Sequence, residues 1–235
     1  MQNKEESLLE GTNTSSPKVS LFVVTDGRIG CLEKTLDSFR QNVVGIFLQE
    51  FIVNDCVNPV FREQVDRISE VYGFDAPIHH AEKQGFSGAY HTAFNAVHKK
   101  ADYCFILEDD FTFNEPIVLS DMIVMLRDNP HLCQVALKRQ AWNKEERKAG
   151  GIVEQDPDNF HDKDGFCQHR KFFTTNPSLV PAWVIKRGWP LVEHSEGKFS
   201  LQLFEDPAIH SAYLGAKLDP PKVHHIGEVR AGHGY

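Results

Sequence analysis

Three consecutive acids, Glu108-Asp109-Asp110, follow the apolar run Tyr103–Leu107. In extended backbone successive side chains alternate, so Glu108 and Asp110 point the same way. Two carboxylates leaving a buried strand together form a hard oxygen site. Mg²⁺ and Mn²⁺ prefer such sites and often share them with substrate phosphates. A cation held there would neutralise the charge growing on a departing diphosphate. A solvated acidic turn has the same composition, so the triplet acquires meaning from its place in the chain.

That place is set by the elements around it. Val19–Thr25 is an apolar, β-branched run that reads as a buried strand, turned by Asp26-Gly27-Arg28. Cys31–Gln41 has helical spacing, Glu50–Asn54 reads as a second strand, and Val60–Tyr72 as a second helix. A short strand at Pro77–His80, a helix at Phe86–Lys99, the strand Tyr103–Leu107 and a helix at Ile117–Asn129 complete a βαβαβαβα series. Such a series implies an α/β fold with a mostly parallel sheet, right-handed crossovers and helices on both faces. Ligands bind such sheets beyond the carboxyl ends of the strands. Thr25-Asp26, Asn54-Asp55 and Glu108-Asp109-Asp110 all fall at that edge.

The second half has less regular patterning. Gln134–Arg139 and Val223–Ile226 read as strands, and Phe172–Leu179 and Ala182–Ile185 as short strands or loop. Trp142–Gln168 is charged and lacks periodicity, as expected of a lid or an unstructured loop. Asp206 before Pro207 predicts a helix start, running to Leu214. The expected organisation is a tail at 1–17, a ligand-binding half at 18–130 and a second half at 131–235, all in one domain.

The net charge of −8 argues against a general nucleic-acid binder. The five cysteines are odd in number and none are spaced as Cys-x-x-Cys, which suits buried, reduced thiols. The polar start Met1–Glu6 does not resemble a signal peptide, and no apolar run is long enough for a membrane span. The expected location is cytoplasmic.

Taken in order, VSLFVVTDGR (19–28), FIVNDC (51–56), QGFSGAYHTAFN (84–95), FILEDD (105–110), FFTTNPSLV (172–180), FED (204–206) and HHIG (224–227) resemble the GT-A glycosyltransferases of the family-two-like group. The resemblance implies a single GT-A-like domain. It also implies an enzyme that moves a sugar, hexosyltransferase-like, from a nucleoside-diphosphate sugar (a UDP-sugar favoured) to an acceptor hydroxyl, with Mn²⁺ or Mg²⁺ as cofactor. Thr25 and Arg28 would line the nucleotide pocket, with Asp55 accepting a hydrogen bond from the base and Asn54 assisting. Gln84, Gly85 and Gly88 would let backbone approach the ligand at a helix start. Glu108 would touch ribose or support the metal, Asp109 would share either role, and Asp110 would bind the metal. Asp206, with Glu205 second, corresponds to the base of an inverting transfer; a retaining enzyme does without it. His224 or His225 would complete the metal shell, His224 preferred, and Arg230 and His233 would close on the diphosphate. Trp142 is the acceptor-side aromatic, whereas Trp183 and Trp189 suit the core.

The chain departs from the family pattern in two ways. Glu108 stands where an Asp usually leads the triplet, the DXD motif of such enzymes, and the late Gln-x-x-Arg-Trp motif of processive synthases is absent. The expected enzyme is soluble and adds a single sugar. The competing readings are a glycosyltransferase acting on modified nucleic-acid bases, for which Lys138-Arg139 and the cluster at 144–148 provide cations, and a non-catalytic nucleotide- or glycan-binding module.

Overall fold

The first strand, β1 (Val19–Thr25), is buried along its whole length. Leu21 and Val23 enter one hydrophobic cluster, Phe22 and Val24 a second on the opposite face. Period-two alternation therefore builds two cores, one on each side of the sheet. The structure, a computed structural model, describes residues 16–227.

The predicted first half is present. After β1 come α1 (Ile29–Asn42), the two-residue β2 (Val43–Val44), β3 (Gln49–Asn54), α2 (Pro59–Tyr72), β4 (Ile78–His79), α3 (Gly85–Ala96) and β5 (Tyr103–Glu108). β6 (Phe111–Phe113), β7 (Ile117–Val118) and α4 (Leu119–Asp128) follow. α2 illustrates the local rules: Asn58 caps it by accepting from Val60 N at 3.0 Å, Pro59 opens it, and Gly73 ends it at φ 73°. Leu32, Leu36 and Phe39 of α1, Val65 and Ile68 of α2, and Met122 and Leu126 of α4 pack on one face of the sheet. Tyr90, Ala93 and Phe94 of α3 pack on the other.

The second half adds β8 (Leu132–Ala136), α5 (Lys144–Ala149), β9 (Phe160–Lys163), β10 (Phe166–His169), β11 (Ser178–Pro181), α6 (Ala182–Ile185), α7 (Ser195–Leu203), β12 (His210–Leu214) and β13 (Val223–His225). Nine strands form one sheet in the order β4-β3-β1-β5-β11-β8-β12-β10-β9. Its first four strands are parallel, while β11 runs antiparallel to both β5 and β8. The sheet is thus parallel in the first half and mixed in the second.

Several expectations for the second half are corrected. The helix predicted over 206–214 is a turn followed by β12. Asp206 accepts from Ala208 N at 2.9 Å, as a helix cap would, but Ser211, Ala212 and Tyr213 are drawn into pairing with β8 and β10. Sheet pairing on both sides outweighs one local cap. Of the two stretches read as short strands or loop, Ala182–Ile185 is a helical turn, and in Phe172–Leu179 a strand begins only at Ser178. The unpatterned stretch 142–168 contains α5 and the β9–β10 hairpin.

α5 fixes the segment that enters it. Asn143 and Glu146 form a reciprocal cap: Glu146 N donates to Asn143 Oδ1 at 2.8 Å, and Asn143 Nδ2 to Glu146 Oε1 at 2.9 Å. The same buried carboxylate accepts from Arg139 Nη1 at 2.6 Å, Arg139 Nη2 at 3.0 Å and Trp142 N at 2.7 Å. Burial opposes its charge, but these donors, Arg139 first, hold its pKa below the usual carboxylate value.

Two stability predictions follow from these contacts. Trp189 is buried among Tyr90, Phe94 and Phe199 and donates Nε1–H to Ser195 Oγ at 3.0 Å. Trp189→Ala should cost about 3–5 kcal/mol in urea unfolding, from the cavity it leaves. Glu146→Gln should cost about 3 kcal/mol at neutral pH by breaking a buried ion pair. Because the Glu146 pKa is depressed, its contribution is complete above the unfolded value and lost as pH falls through the folded one. The stability gap between wild type and Glu146→Gln should therefore narrow below about pH 4.

Candidate active site

The carboxyl ends of β1, β3 and β5 open onto a cleft enclosing about 330 Å³. One wall carries Asp55, Lys83, Gly85 and Phe86, the floor Thr25, Asp26, Arg28 and Glu108 to Asp110. The far wall carries Arg139, Trp142, Thr174 to Asn176, Glu196 and His225. The first two groups come from strand exits. In the third, Thr174 to Asn176 arrive because β11 runs antiparallel beside β5, with Ser178 opposite Ile106, so the residues just before β11 reach the same edge. Arg139 and Trp142 follow β8, Glu196 comes from α7 and His225 from β13.

Asp109 and Asp110 are buried, and Glu108 is half-buried at the cleft floor. Glu108 accepts from Tyr90 Oη at 2.9 Å. Burial pushes its pKa up to about 8, reinforced by Asp110 and opposed by hydrogen bonds from Thr175 and Tyr90. Asp109 accepts from Thr25 Oγ1 at 2.5 Å and from Arg28 Nη2. Burial pushes it up to about 7 while Arg28 pulls it down. Both partners donate, which is how an ionised carboxylate is served. Asp110 is bound by Arg28 Nη1 at 2.5 Å and lies 3.3 Å from His225 Nε2. Burial opposes its charge, yet His225 and Arg28 together hold its pKa below the ordinary range. Arg28 also stands 3.4 Å from Asp26. Burial disfavours its charge, but Asp109 and Asp110 more than restore it.

At the other end of the cleft, Asp55 Oδ1 accepts from Gln84 N and His80 Nδ1, both at 2.7 Å, and Oδ2 accepts from Gly85 N at 2.8 Å. Asp55 thus caps α3, and Oδ2 retains one lone pair. Gly85 adopts φ 69°, a left-handed conformation that favours glycine, and a side chain there would meet nothing within 4 Å.

Of the residues singled out in the sequence, Thr25, Arg28, Asp55, Gly85, Glu108, Asp109, Asp110, Trp142 and His225 line the cleft. The others do not. Asn54 turns into the fold, with Oδ1 on Cys56 N at 3.0 Å and Nδ2 near His79 Nδ1 at 2.9 Å. Gln84 contributes its backbone N–H to Asp55, and Gly88 is buried against Gln84, where a Cβ would lie 2.3 Å from Gln84 Cβ. Glu205 and Asp206 lie in the exposed turn before β12, outside the cleft lining. His224 is exposed on β13, and the alternation of the strand turns His225 inward instead. Arg230 and His233 lie outside the described residues.

Glu196 was not anticipated. It sits in the first turn of α7, whose nine residues carry little apolar periodicity to announce a helix. Its Oε1 accepts from Thr175 N at 2.8 Å and Thr175 Oγ1 at 3.2 Å. Burial raises its pKa, and Thr175 opposes the rise. Thr174 to Asn176 belong to the stretch FFTTNPSLV, noted only for its resemblance to the family.

A metal can be tested against these side chains. No group of three or more His, Cys, Asp or Glu residues is arranged to hold an ion among the described residues. Asp110 Oδ1 and His225 Nδ1 are nevertheless buried without a hydrogen-bond partner. One carboxylate and one imidazole fit a Mn²⁺ or Mg²⁺ ion whose remaining positions are filled by phosphate oxygens and water.

The fold is similar to that of several solved enzymes. Mannosyltransferase PcManGT from Pyrobaculum calidifontis, in complex with GDP-Man and Mn2+, is 14% identical with a TM-score of 0.62, covering 93% of this chain and 59% of its own. Staphylococcus aureus TarS 1-349 with UDP-GlcNAc is 13% identical with a TM-score of 0.63, covering 92% and 60%. GalNAc-T7 with UDP, GalNAc and Mn2+ is 11% identical with a TM-score of 0.66, covering 91% and 44%. The chain therefore spans 44% to 60% of the length of these enzymes. No curated protein matches it. No helix among the described residues is long and apolar enough to cross a membrane. Residues 20–189 match the model of glycosyl transferase family 2, well over half of the sequence, and the chain therefore belongs to that family.

Proposed function

We propose that this chain transfers a sugar from a nucleoside-diphosphate sugar to an acceptor hydroxyl with inversion, and that Glu196, not Asp206, is the general base. The observation that carries this reading is the position of Glu196. It is a carboxylate in the cleft wall, held on Oε1 by Thr175, with its other oxygen free of assigned partners. Burial raises its pKa toward the range in which a carboxylate accepts a proton efficiently at neutral pH. Asp206 spends Oδ1 on Ala208 N at the surface, away from the lining residues.

The donor lies along the remaining walls in this reading. Asp55 Oδ2 takes the base through its open lone pair, and the turn at Gly85 allows backbone to pass close to the ribose. A UDP-sugar is the favoured donor, because a ring N–H such as that of uracil suits a carboxylate acceptor. Glu108 and Asp109 support the floor, and Lys83 and Arg28 supply positive charge near the diphosphate. Asp110 and His225 would hold the divalent cation, which offsets charge on the leaving diphosphate when bound. Trp142, packed edge-on to His225 with centroids 4.0 Å apart, offers its ring to the acceptor. Glu196 then receives the acceptor proton as the hydroxyl oxygen attacks the sugar carbon.

The donor class is tested by incubating the protein with Mn²⁺ and a panel of UDP-, GDP-, TDP- and CMP-sugars, following thermal shift and nucleotide release. Stabilisation by one nucleotide family is expected; none with any donor would refute the reading. Glu196→Gln should keep donor affinity within about twofold and lower kcat by at least about 10²-fold, the usual contribution of a general base. Asp206→Asn should turn over within about twofold of wild type. The reverse pattern would return the base to Asp206.

A further inference from the structure

Arg28 stands against the residues proposed to hold the divalent cation. Its Nη1 takes Asp110 Oδ2 at 2.5 Å, its Nη2 takes Asp109 Oδ1, and its Nε lies 3.4 Å from Asp26. Asp110 Oδ2 is also the atom 3.3 Å from His225 Nε2. The backbone of Gly227 closes over the same pair: a Cβ there would lie 2.3 Å from Asp110 Oδ2 and 3.1 Å from Arg28 Nη1. The guanidinium is thus engaged with one oxygen of the proposed metal ligand. The other oxygen, Oδ1, is buried and without a partner. The carboxylate retains coordinating capacity, but a fixed positive charge stands against its use by a second cation.

Resting on the donor reading above, we propose that Arg28 is a competing counter-charge: it weakens divalent-cation binding at Asp110 until a nucleoside diphosphate draws the guanidinium onto its phosphates. Arg28 lines the cleft and is about a quarter exposed, so it can exchange one anionic partner for another without leaving the site. Guanidinium binds carboxylate and phosphate with the same forked geometry, which makes the exchange chemically even. Metal and donor then load cooperatively, because each favours the arrangement in which Arg28 has released Asp110. Linkage requires the effect to be reciprocal.

The coupling can be read without turnover. Mn²⁺ is titrated calorimetrically into wild type, Arg28→Gln and Arg28→Lys, each with and without UDP, after circular dichroism and thermal melting confirm folding. Wild type should bind Mn²⁺ about tenfold or more tightly with UDP present, within the ordinary range of coupling between two ligands. Arg28→Gln should bind Mn²⁺ alone about tenfold more tightly than wild type, bind UDP alone more weakly, and keep only the part of the coupling that phosphate oxygens bound to the ion supply. These opposite signs are not expected of a residue that only holds the fold. Arg28→Lys keeps the charge but loses the fork, and should fall between the two, which preserves the test if Arg28→Gln does not fold. Equal or weaker Mn²⁺ binding by both variants would overturn the proposal, as would unchanged coupling, while UDP binding by wild type would leave the donor reading standing. Failure of wild type to bind UDP, with or without Mn²⁺, would overturn both.

Discussion

The crowding of three adjacent carboxylates at the end of β5, two of them buried and one half-buried, dominates this structure. Burial of Glu108, Asp109 and Asp110 works against their ionisation, and each is compensated differently. Tyr90 serves Glu108, Thr25 and Arg28 serve Asp109, and Arg28 with His225 serves Asp110. These partners come from β1, the turn after it, α3 and β13, elements far apart in the chain. Their convergence determines where the cleft floor lies. It also explains why the triplet is not a solvated turn, since water would make such partners unnecessary.

The opposite wall depends on another buried carboxylate. Glu146 ties Arg139, Trp142 and Asn143 together through its two oxygens. Trp142 packs against His225, so the cap of a six-residue helix helps to orient a residue beside Asp110. At the other end of the cleft, Asp55 does comparable work by capping α3 while facing the cleft. In each case one side chain both completes a helix terminus and supports the site. A cap and a functional group are compatible because a carboxylate has four lone-pair positions.

The first half of the fold was legible because its strands are buried on both faces and its helices carry regular apolar stripes. Thr25, Asp55 and the triplet could be placed because strand ends in a parallel sheet share one edge. The second half was not legible to the same extent. Asp206 carries a genuine capping signal, and only pairing of the next residues with β8 and β10 overrides it. Glu196 stands on a short helix with no marked stripe, and Thr174 to Asn176 lie in irregular chain whose position depends on β11 running backwards beside β5. Which histidine faced inward hung on strand register, which a His-His pair does not reveal.

That reversed strand has a mechanical consequence. The two sides of the cleft are not separate bodies joined by a hinge, since β5, β11 and β8 are hydrogen-bonded neighbours in one continuous sheet. Swinging the walls apart would mean breaking that ladder through the middle of both hydrophobic cores. The ladder therefore fixes the spacing of the strand ends beneath the cleft, and adaptation to a ligand falls to rotating side chains and to the segments that leave the sheet edge. A frame of this kind leaves recognition to the side chains mounted on it.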